Sequence, residues 1–287
     1  MTTTALTGQV YAMERSALDA ILSGSIRAVS RDGRATGSRS PAGTAVVSLS
    51  GPMEFRPGLL AVLFGYGTST LELTATIRRL AADPEVKQII MEIDSPGGSI
   101  EGVSEAAAAI RAARERKPVY AVAAPMAASA AYWLAAQATR LLVMGSGQVG
   151  SIGVYGVHED LSKAAERLGV KTTLISAGKY KTEGNPWEPL SDLARSEMQS
   201  KVDAHYRQFT DDVAFGRGVS PGAVVKGYGE GRMLLARPAL AAGMVDEIGT
   251  LDGVLEGISI ERGRFIAEMD TRQRRNAAYR ASLVRRG

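Results

Sequence analysis

The chain has 287 residues, of which 45% are hydrophobic and 22% are charged, and these proportions are typical of a globular protein rather than of a disordered chain, a collagen or a coiled-coil rod. It contains no cysteine and only two histidines, which excludes a disulfide scaffold, a cysteine nucleophile and a multi-histidine metal centre. The formal net charge is +4, but six arginines lie between Thr271 and Gly287, so the positive charge belongs to the C-terminal tail.

The first 43 residues are predicted to be a leader and linker. Residues 13–22 have the apolar spacing of a short amphipathic helix, and residues 23–43 contain the glycines and the proline of a linker. The first ten residues lack a basic segment followed by an apolar one, so we expect no secretory signal and a cytoplasmic location.

From residue 44 onward, β-branched and apolar runs alternate with segments of helical spacing. The predicted strands are Thr44–Leu49, Lys87–Ile93, Val119–Ala123, Arg140–Met144 and Thr172–Ser176. The predicted helices are Ser69–Ala82, which opens on a capping box, Glu101–Arg116, Ala128–Ala138 and Glu159–Leu168. Strands separated by helices of this length indicate βαβ units, so we predict an α/β fold with a mostly parallel sheet.

Two longer segments need separate interpretation. Residues 118–139 contain no charge and are long enough to span a bilayer, but they are rich in alanine and contain two prolines, so we predict a buried strand and helix. Residues 191–217 are predicted to form a long amphipathic helix that packs against the body or against another subunit, and residues 220–260 to form short helices and a last strand.

Three clusters of small residues follow predicted strands, where α/β proteins bind ligands. The first is Asp94-Ser-Pro-Gly-Gly98. Its paired glycines, Gly97 and Gly98, allow a turn whose amides could stabilise a developing negative charge, although a plain strand-to-helix turn would have the same sequence.

The second cluster places Ser129 within a run of alanines where a helix begins. A serine at this position is most often a helix cap, and the alternative is a nucleophile with room beside it for a substrate backbone. A nucleophilic serine needs a base, and neither His158 nor His205 has an evident acidic partner. The third cluster offers Lys179 and Lys181, and spacing alone does not choose between them or exclude a plain surface pair.

In order, the motifs Asp94–Gly98, Ala127-Ala-Ser129-Ala-Ala-Tyr132, Gly150-Ser-Ile-Gly153 and Gly178-Lys-Tyr-Lys181 resemble the signal peptide peptidase A (protease IV) family over residues 44–260. The run Lys181–Pro186 and, more weakly, residues 11–19 resemble the bacteriophage branch of that family, the head-maturation proteases of the minor capsid protein C type.

The resemblance implies a crotonase-like (Clp-protease-like) fold with a repeated ββα core, a peptidase domain over residues 44–262 and a basic tail over residues 263–287. It implies a Ser–Lys dyad without a cofactor or a metal. Carried over by position, Ser129 is the nucleophile and Lys181 the general base, Gly97 and Gly98 form the oxyanion turn, Ala130 supplies a possible second amide donor, and Ser151 hydrogen-bonds the base.

The resemblance also implies a homo-oligomeric ring, in which neighbouring subunits can share a dyad, and a peptide or protein substrate, such as a scaffold, capsid or portal protein, in the host cytoplasm or prohead. We expect neither a membrane anchor nor a specific nucleic-acid partner. The alternatives are a cytoplasmic signal-peptide-peptidase-like enzyme, a catalytically silent capsid- or scaffold-binding component, an acyl-CoA hydratase or isomerase of the same fold, and a Clp-type Ser-His-Asp protease.

Overall fold

The computed structural model describes residues 10–13, 38–40, 43–57 and 67–257. Except for Met13, which ends a strand, the predicted helix over residues 13–22 lies outside these ranges, as do most of the linker and the basic tail. The chain divides into two compact units. The smaller unit comprises Met1–Tyr11 and Val154–Arg207, and the larger unit comprises Ala12–Gly153 and Gln208–Gly287.

The strands are β1 Val10–Met13, β2 Ser38–Ser40, β3 Thr44–Ser50, β4 Met53–Glu54, β5 Thr68–Ser69, β6 Gln88–Ser95, β7 Gly97–Ser99, β8 Val119–Ala128, β9 Arg140–Val143, β10 Gln148–Gly150, β11 Tyr155–Gly156, β12 Met233–Leu235 and β13 Glu247–Ile248. The helices are α1 Thr70–Ala82, α2 Val103–Arg114, α3 Ala130–Ala135, α4 Ser162–Arg167, α5 Asp192–Arg217, α6 Pro221–Gly227, α7 Ala236–Ala241 and α8 Leu251–Gly257.

The main sheet of the larger unit has the order β12-β10-β8-β6-β3-β2, and β9 joins β8 to β13. The central pairs are parallel, whereas β2 and β12 run antiparallel to their neighbours. A second group of strands is formed by β4, which pairs in parallel with β5 and β7. The series β3–β4–α1 and β6–β7–α2 each supply one strand to each group before the helix, so the predicted α/β class and its ββα repeats are confirmed.

Helix α1 begins where the capping box predicts. Ser69 is the N-cap, and its side chain accepts a hydrogen bond from the amide of Glu72 at 3.2 Å. The helix ends before Asp83 and buries Leu73, Ile77 and Leu80. Local capping chemistry and helical spacing therefore determine this element.

Strand β8 and helix α3 account for the uncharged segment of residues 118–139. Val119, Ala121 and Trp133 are fully buried, which confirms a core segment. Among the residues that the structure describes, no helix is both long and apolar enough to cross a membrane. The strand continues to Ala128, five residues beyond the predicted end, because β10 pairs with its second half.

Two predictions for the smaller unit differ from the structure. The strand predicted at Thr172–Ser176 is wrong: these residues are exposed and form no regular structure, and none of the described strands pairs with them. A β-branched run without a pairing partner has no ladder to join. The helix predicted at Glu159–Leu168 begins later, at Ser162, because Asp160 accepts hydrogen bonds from the Ser162 amide and hydroxyl.

The predicted long helix is α5, and its two halves differ in burial. Leu193, near its start, is 59% exposed, whereas Phe209 and Val213 are fully buried. Phe209 stacks on Trp133 of α3 with a centroid separation of 4.5 Å and an interplanar angle of 9°. The C-terminal half of α5 thus packs on the body of the larger unit, as predicted.

Candidate active site

Ser129 lies at the junction between β8 and α3. Its amide donates to the carbonyl oxygen of Gly150 at 2.7 Å, and its carbonyl oxygen accepts from the amide of Trp133 at 2.9 Å. It occupies the N-cap position, but its side chain makes no capping hydrogen bond. Its φ is 54°, a left-handed conformation that costs a non-glycine residue free energy. The structure therefore does not support the helix-cap interpretation.

The hydroxyl group of Ser129 is buried without a hydrogen-bond partner among the described residues. Leaving a buried hydroxyl unsatisfied costs about 1–3 kcal/mol. Such a group in a strained backbone calls for a functional explanation. A strained serine on a strand-to-helix turn is also how α/β hydrolases expose a nucleophile.

Gly97 and Gly98 form a turn, called here the glycine turn, that lies against Ala128 and Ala130, the residues on either side of Ser129. Gly97 has a φ of +89°, and a Cβ atom on it would lie 2.9 Å from both the Ala128 carbonyl oxygen and the Ala130 nitrogen and would overlap the Ala12 carbonyl oxygen. A Cβ atom on Gly98 would overlap the backbone of Met53 in β4. Both positions therefore require glycine, and the turn is held between Ala12, β4 and residues 128–130, which we call the serine loop.

Ser95, a residue that sequence reasoning did not single out, fixes this turn. Its hydroxyl group donates to the carbonyl oxygen of Gly51 at 2.7 Å and accepts from the amide of Gly97 at 3.2 Å. Ser95 is fully buried. Ser95 lies within the Asp94–Gly98 motif, but a role was predicted only for the two glycines of that motif.

Ala130 and Ser151 each follow one partner of the hydrogen bond between Ser129 and Gly150. Ala130 is the first residue of α3, and the amides of a first helical turn have no acceptor within the helix. Ser151 follows Gly150, has a φ of 54°, and donates its amide to the carbonyl oxygen of Arg232 at 2.9 Å. The larger unit thus brings together Ser129, Ala130, Gly97, Gly98 and Ser151.

Helix α3 is anchored by polar contacts as well as by packing. The Trp133 indole donates to Asp212 at 2.8 Å, and Asp212 also pairs with Arg111 at 2.8 Å. The Tyr132 hydroxyl group donates to the Met244 carbonyl oxygen at 2.9 Å. Burial raises the pKa of Tyr132 well above its ordinary value, so this phenol remains a donor. These contacts hold the helix that follows the serine.

The candidate bases lie in the smaller unit. Lys179 and Lys181 are both exposed. The Lys179 ammonium group lies 4.9 Å from the centroid of the Tyr180 ring, and the Lys181 amide donates to the Gly178 carbonyl oxygen at 3.1 Å. Because Ser129 belongs to the other unit, its pairing with Lys181 stays a prediction.

The histidines show no dyad geometry with a carboxylate in the part of the chain that the structure describes. His158 is half-buried and precedes α4, with Nε2 3.2 Å from the Asn185 carbonyl oxygen. His205 is half-buried within α5. This placement supports a structural role for His158.

A parallel α/β core, a strained buried serine and an adjoining glycine turn are features that serine hydrolase sites share. The chain belongs to peptidase family S49, whose family model matches residues 111–263. This match confirms the resemblance to the signal peptide peptidase A family.

Two relatives come from bacteriophages. The chain is 35% identical over 206 residues to "Capsid assembly protease C" of Escherichia phage lambda, which covers 72% of this chain and 46% of that protein. It is 34% identical over 206 residues to "Head-tail preconnector protein GP5" of Enterobacteria phage P21, which covers 72% of this chain and 40% of that protein. The chain therefore spans less than half the length of these relatives.

A bacterial relative and a solved structure extend the comparison. The chain is 31% identical over 177 residues to "Protease 4" of Salmonella typhi, which covers 61% of this chain and 28% of that protein. The solved structure is that of a mutant of the "1510-N membrane-bound stomatin-specific protease". It is 14% identical, with a TM-score of 0.47, and the match covers 74% of this chain and 82% of that one.

Proposed function

We propose that the protein is a serine endopeptidase that hydrolyses peptide bonds through an acyl-enzyme formed on Ser129. The observation that carries this proposal is the Ser129 side chain, which is fully buried, makes no cap and has no hydrogen-bond partner among the described residues. Membership of peptidase family S49 supports the reaction type.

In the proposed reaction, the Ser129 oxygen attacks the carbonyl carbon of the scissile bond while its proton passes to a neutral Lys181 amine. Amides of the glycine turn and of Ala130 stabilise the tetrahedral oxyanion. The intermediate collapses, the C–N bond breaks, and the protonated Lys181 gives its proton to the leaving amine. Water, activated by Lys181, then hydrolyses the ester. A single oxyanion donor typically lowers the barrier by about 3–4 kcal/mol.

Lys181 can act as a base only when its amine is neutral, and burial away from water favours the neutral form of an amine. It is exposed in the single chain. Several large apolar side chains of the same unit are exposed as well: Leu168 is 80% exposed, Ile175 97% and Tyr180 54%. An exposed apolar surface of this kind is typical of an interaction site. We propose that assembly into a homo-oligomeric ring, or binding of substrate, covers it.

The choice of Lys181 over Lys179 is supported by their surroundings. The Lys179 ammonium group lies over the face of the Tyr180 ring, so this amine already has a partner in its own segment. Lys181 has no ring contact of this kind among the described side chains. Ser151 is proposed to hydrogen-bond the Lys181 amine and orient it.

The proposed substrates are proteins of a phage prohead, in the host cytoplasm or in the assembling capsid. This rests on the names of the two phage relatives, one of which is a capsid assembly protease and the other a head-tail preconnector protein. Scaffold, capsid and portal proteins are the candidates.

A fluorophosphonate probe tests the proposal, because it labels a serine only when the hydroxyl group is activated. We expect one labelled peptide, containing Ser129, in the wild-type protein and none in Ser129→Ala. The same preparations should differ in cleavage of an unfolded protein such as casein. A wild-type protein that is neither labelled nor able to cleave would overturn the proposed function.

A further inference from the structure

We propose that Ser95 is a positioning residue that sets the oxyanion turn of this site. The inference rests on the proposed function and concerns a residue whose side chain faces the turn rather than the substrate. It is carried by two hydrogen bonds, by complete burial and by the position of Ser95 at the end of β6.

Ser95 stands where the main sheet meets the serine loop. In β6, Ile93 pairs with Ala123, but Ser95 pairs with Ala127, so the partner strand gains two extra residues between them. This irregularity places the end of β6 beside Ala127 and Ala128, immediately before Ser129. Ser95 is therefore next to the nucleophile's loop on one side and to the glycine turn on the other.

The Ser95 hydroxyl group is both a hydrogen-bond donor and a hydrogen-bond acceptor. It donates to the Gly51 carbonyl oxygen at 2.7 Å and accepts from the Gly97 amide at 3.2 Å. The Gly51 amide donates to the Asp94 carbonyl oxygen at 2.9 Å, so the loop after β3 and the end of β6 are tied together. A hydroxyl group has one donor, and here the Ser95 hydroxyl group bridges the loop after β3 and the turn after β6.

The second bond also removes the Gly97 amide from those that an oxyanion could use. Because the Gly97 amide donates to Ser95, we assign the oxyanion contacts to the amides of Gly98 and Ala130. Gly97 contributes its φ of +89° and its closeness to Ala128 and Ala130. A small movement of the turn would bring it against the residues that flank Ser129, and a misplacement of about 1 Å can reduce catalysis about 100-fold.

Ser95→Ala removes both hydrogen bonds while keeping the φ and ψ preferences nearly the same. We expect the rate constant for fluorophosphonate labelling of Ser129 to fall about 10- to 100-fold, because the phosphoryl oxygen occupies the oxyanion position. We expect kcat for peptide cleavage to fall by a similar factor and KM to change less than about 3-fold, since the interaction acts in the transition state.

The matched control is Thr74→Val. The Thr74 hydroxyl group, also buried, donates to the Thr70 carbonyl oxygen at 2.7 Å within α1. This variant loses one buried hydroxyl-to-carbonyl bond outside the glycine turn, so we expect a lower Tm and an unchanged labelling rate. The Thr74→Val variant therefore distinguishes an effect of lower protein stability from an effect of a displaced glycine turn.

Amide hydrogen exchange gives a readout that does not depend on activity. The Gly97 amide should exchange faster in Ser95→Ala than in the wild type and in Thr74→Val. Should Ser95→Ala not accumulate as folded protein, Ser95→Cys provides the same comparison, because a thiol of similar size is a weak donor and acceptor.

Unchanged labelling in the folded Ser95 variant, or a decrease no larger than that of Thr74→Val, would overturn the inference while the wild type still labels. An unlabelled wild type is a different result: it removes the proposed function, and the role of Ser95 in it, together.

Discussion

Ser129 and Lys181 are the two residues on which the proposed reaction depends, and their surroundings are opposites. Ser129 is fully buried, and its backbone is bonded to Gly150 and Trp133. Lys181 is exposed and lies in a segment without regular structure. The proposed nucleophile and the proposed oxyanion turn thus lie in the buried part of the larger unit, whereas the proposed base is exposed.

This difference in burial shows which parts of the proposed site a single chain can position by itself. Strand pairing, glycine contacts and buried hydroxyl groups position the serine side of the site. A lysine becomes buried only when another surface covers it, and the exposed apolar residues of the smaller unit are where such a surface would bind.

The largest expected effect is that of Ser129→Ala on turnover. We expect kcat to fall by about 10⁴- to 10⁶-fold, as for the loss of a serine nucleophile in other hydrolases. The Tm should be unchanged or higher, because the variant removes an unsatisfied buried hydroxyl group. The control is Ser48→Ala, a half-buried serine on β3, which should retain activity and Tm. A fully active Ser129→Ala would contradict the assignment.

The next effect concerns the anchoring of α3 by the long helix. We expect Phe209→Ala to destabilise the larger unit by about 3–5 kcal/mol in urea unfolding, because it leaves a cavity against Trp133. Leu193→Ala, on the exposed end of the same helix, should change stability by less than about 0.5 kcal/mol. Equal losses in the two variants would show that the halves of α5 are not different in packing.

A smaller effect is expected at the glycine turn. Gly97→Ala should destabilise by about 2–4 kcal/mol, because the new methyl group meets backbone atoms and the φ of +89° is unfavourable for alanine. Gly243 has a similar φ of +74°, and among the described residues a Cβ atom there would meet only the Tyr228 hydroxyl group, at 3.9 Å. Gly243→Ala should therefore cost about 1 kcal/mol. If denaturant unfolding showed the same loss of stability for both variants, steric crowding around Gly97 would be contradicted.

The smallest effect is a pH dependence in the smaller unit. Hydrogen bonds from the Ser162 hydroxyl and amide lower the pKa of Asp160 below its ordinary value. The carboxylate form therefore stabilises the start of α4 at pH values above that ordinary pKa, and this contribution is lost as the pH falls through the lowered pKa. An NMR titration of Asp160 should show a higher pKa in Ser162→Ala. An identical pKa in the two proteins would show that the Ser162 hydroxyl group does not stabilise the Asp160 carboxylate.

Local signals explain how much of the structure the sequence predicts. Ser69 and the spacing after it are sufficient for α1, and Ser129 could be proposed from its motif. The end of β8 could not be predicted, because its pairing with Gln148–Gly150 is distant in sequence. The strand expected at Thr172–Ser176 failed for the same reason, since propensity does not supply a pairing partner. The bridging role of Ser95 depends on Gly51, which is 44 residues away.

The most direct test of the Ser–Lys account compares fluorophosphonate labelling of Ser129 across pH in the wild type, Lys181→Ala and Lys179→Ala. The account predicts that the wild type is labelled at neutral pH, that Lys179→Ala keeps the wild-type pH profile, and that Lys181→Ala loses labelling at least about 1000-fold. Wild-type labelling by Lys181→Ala at every pH, or loss confined to Lys179→Ala, would contradict it.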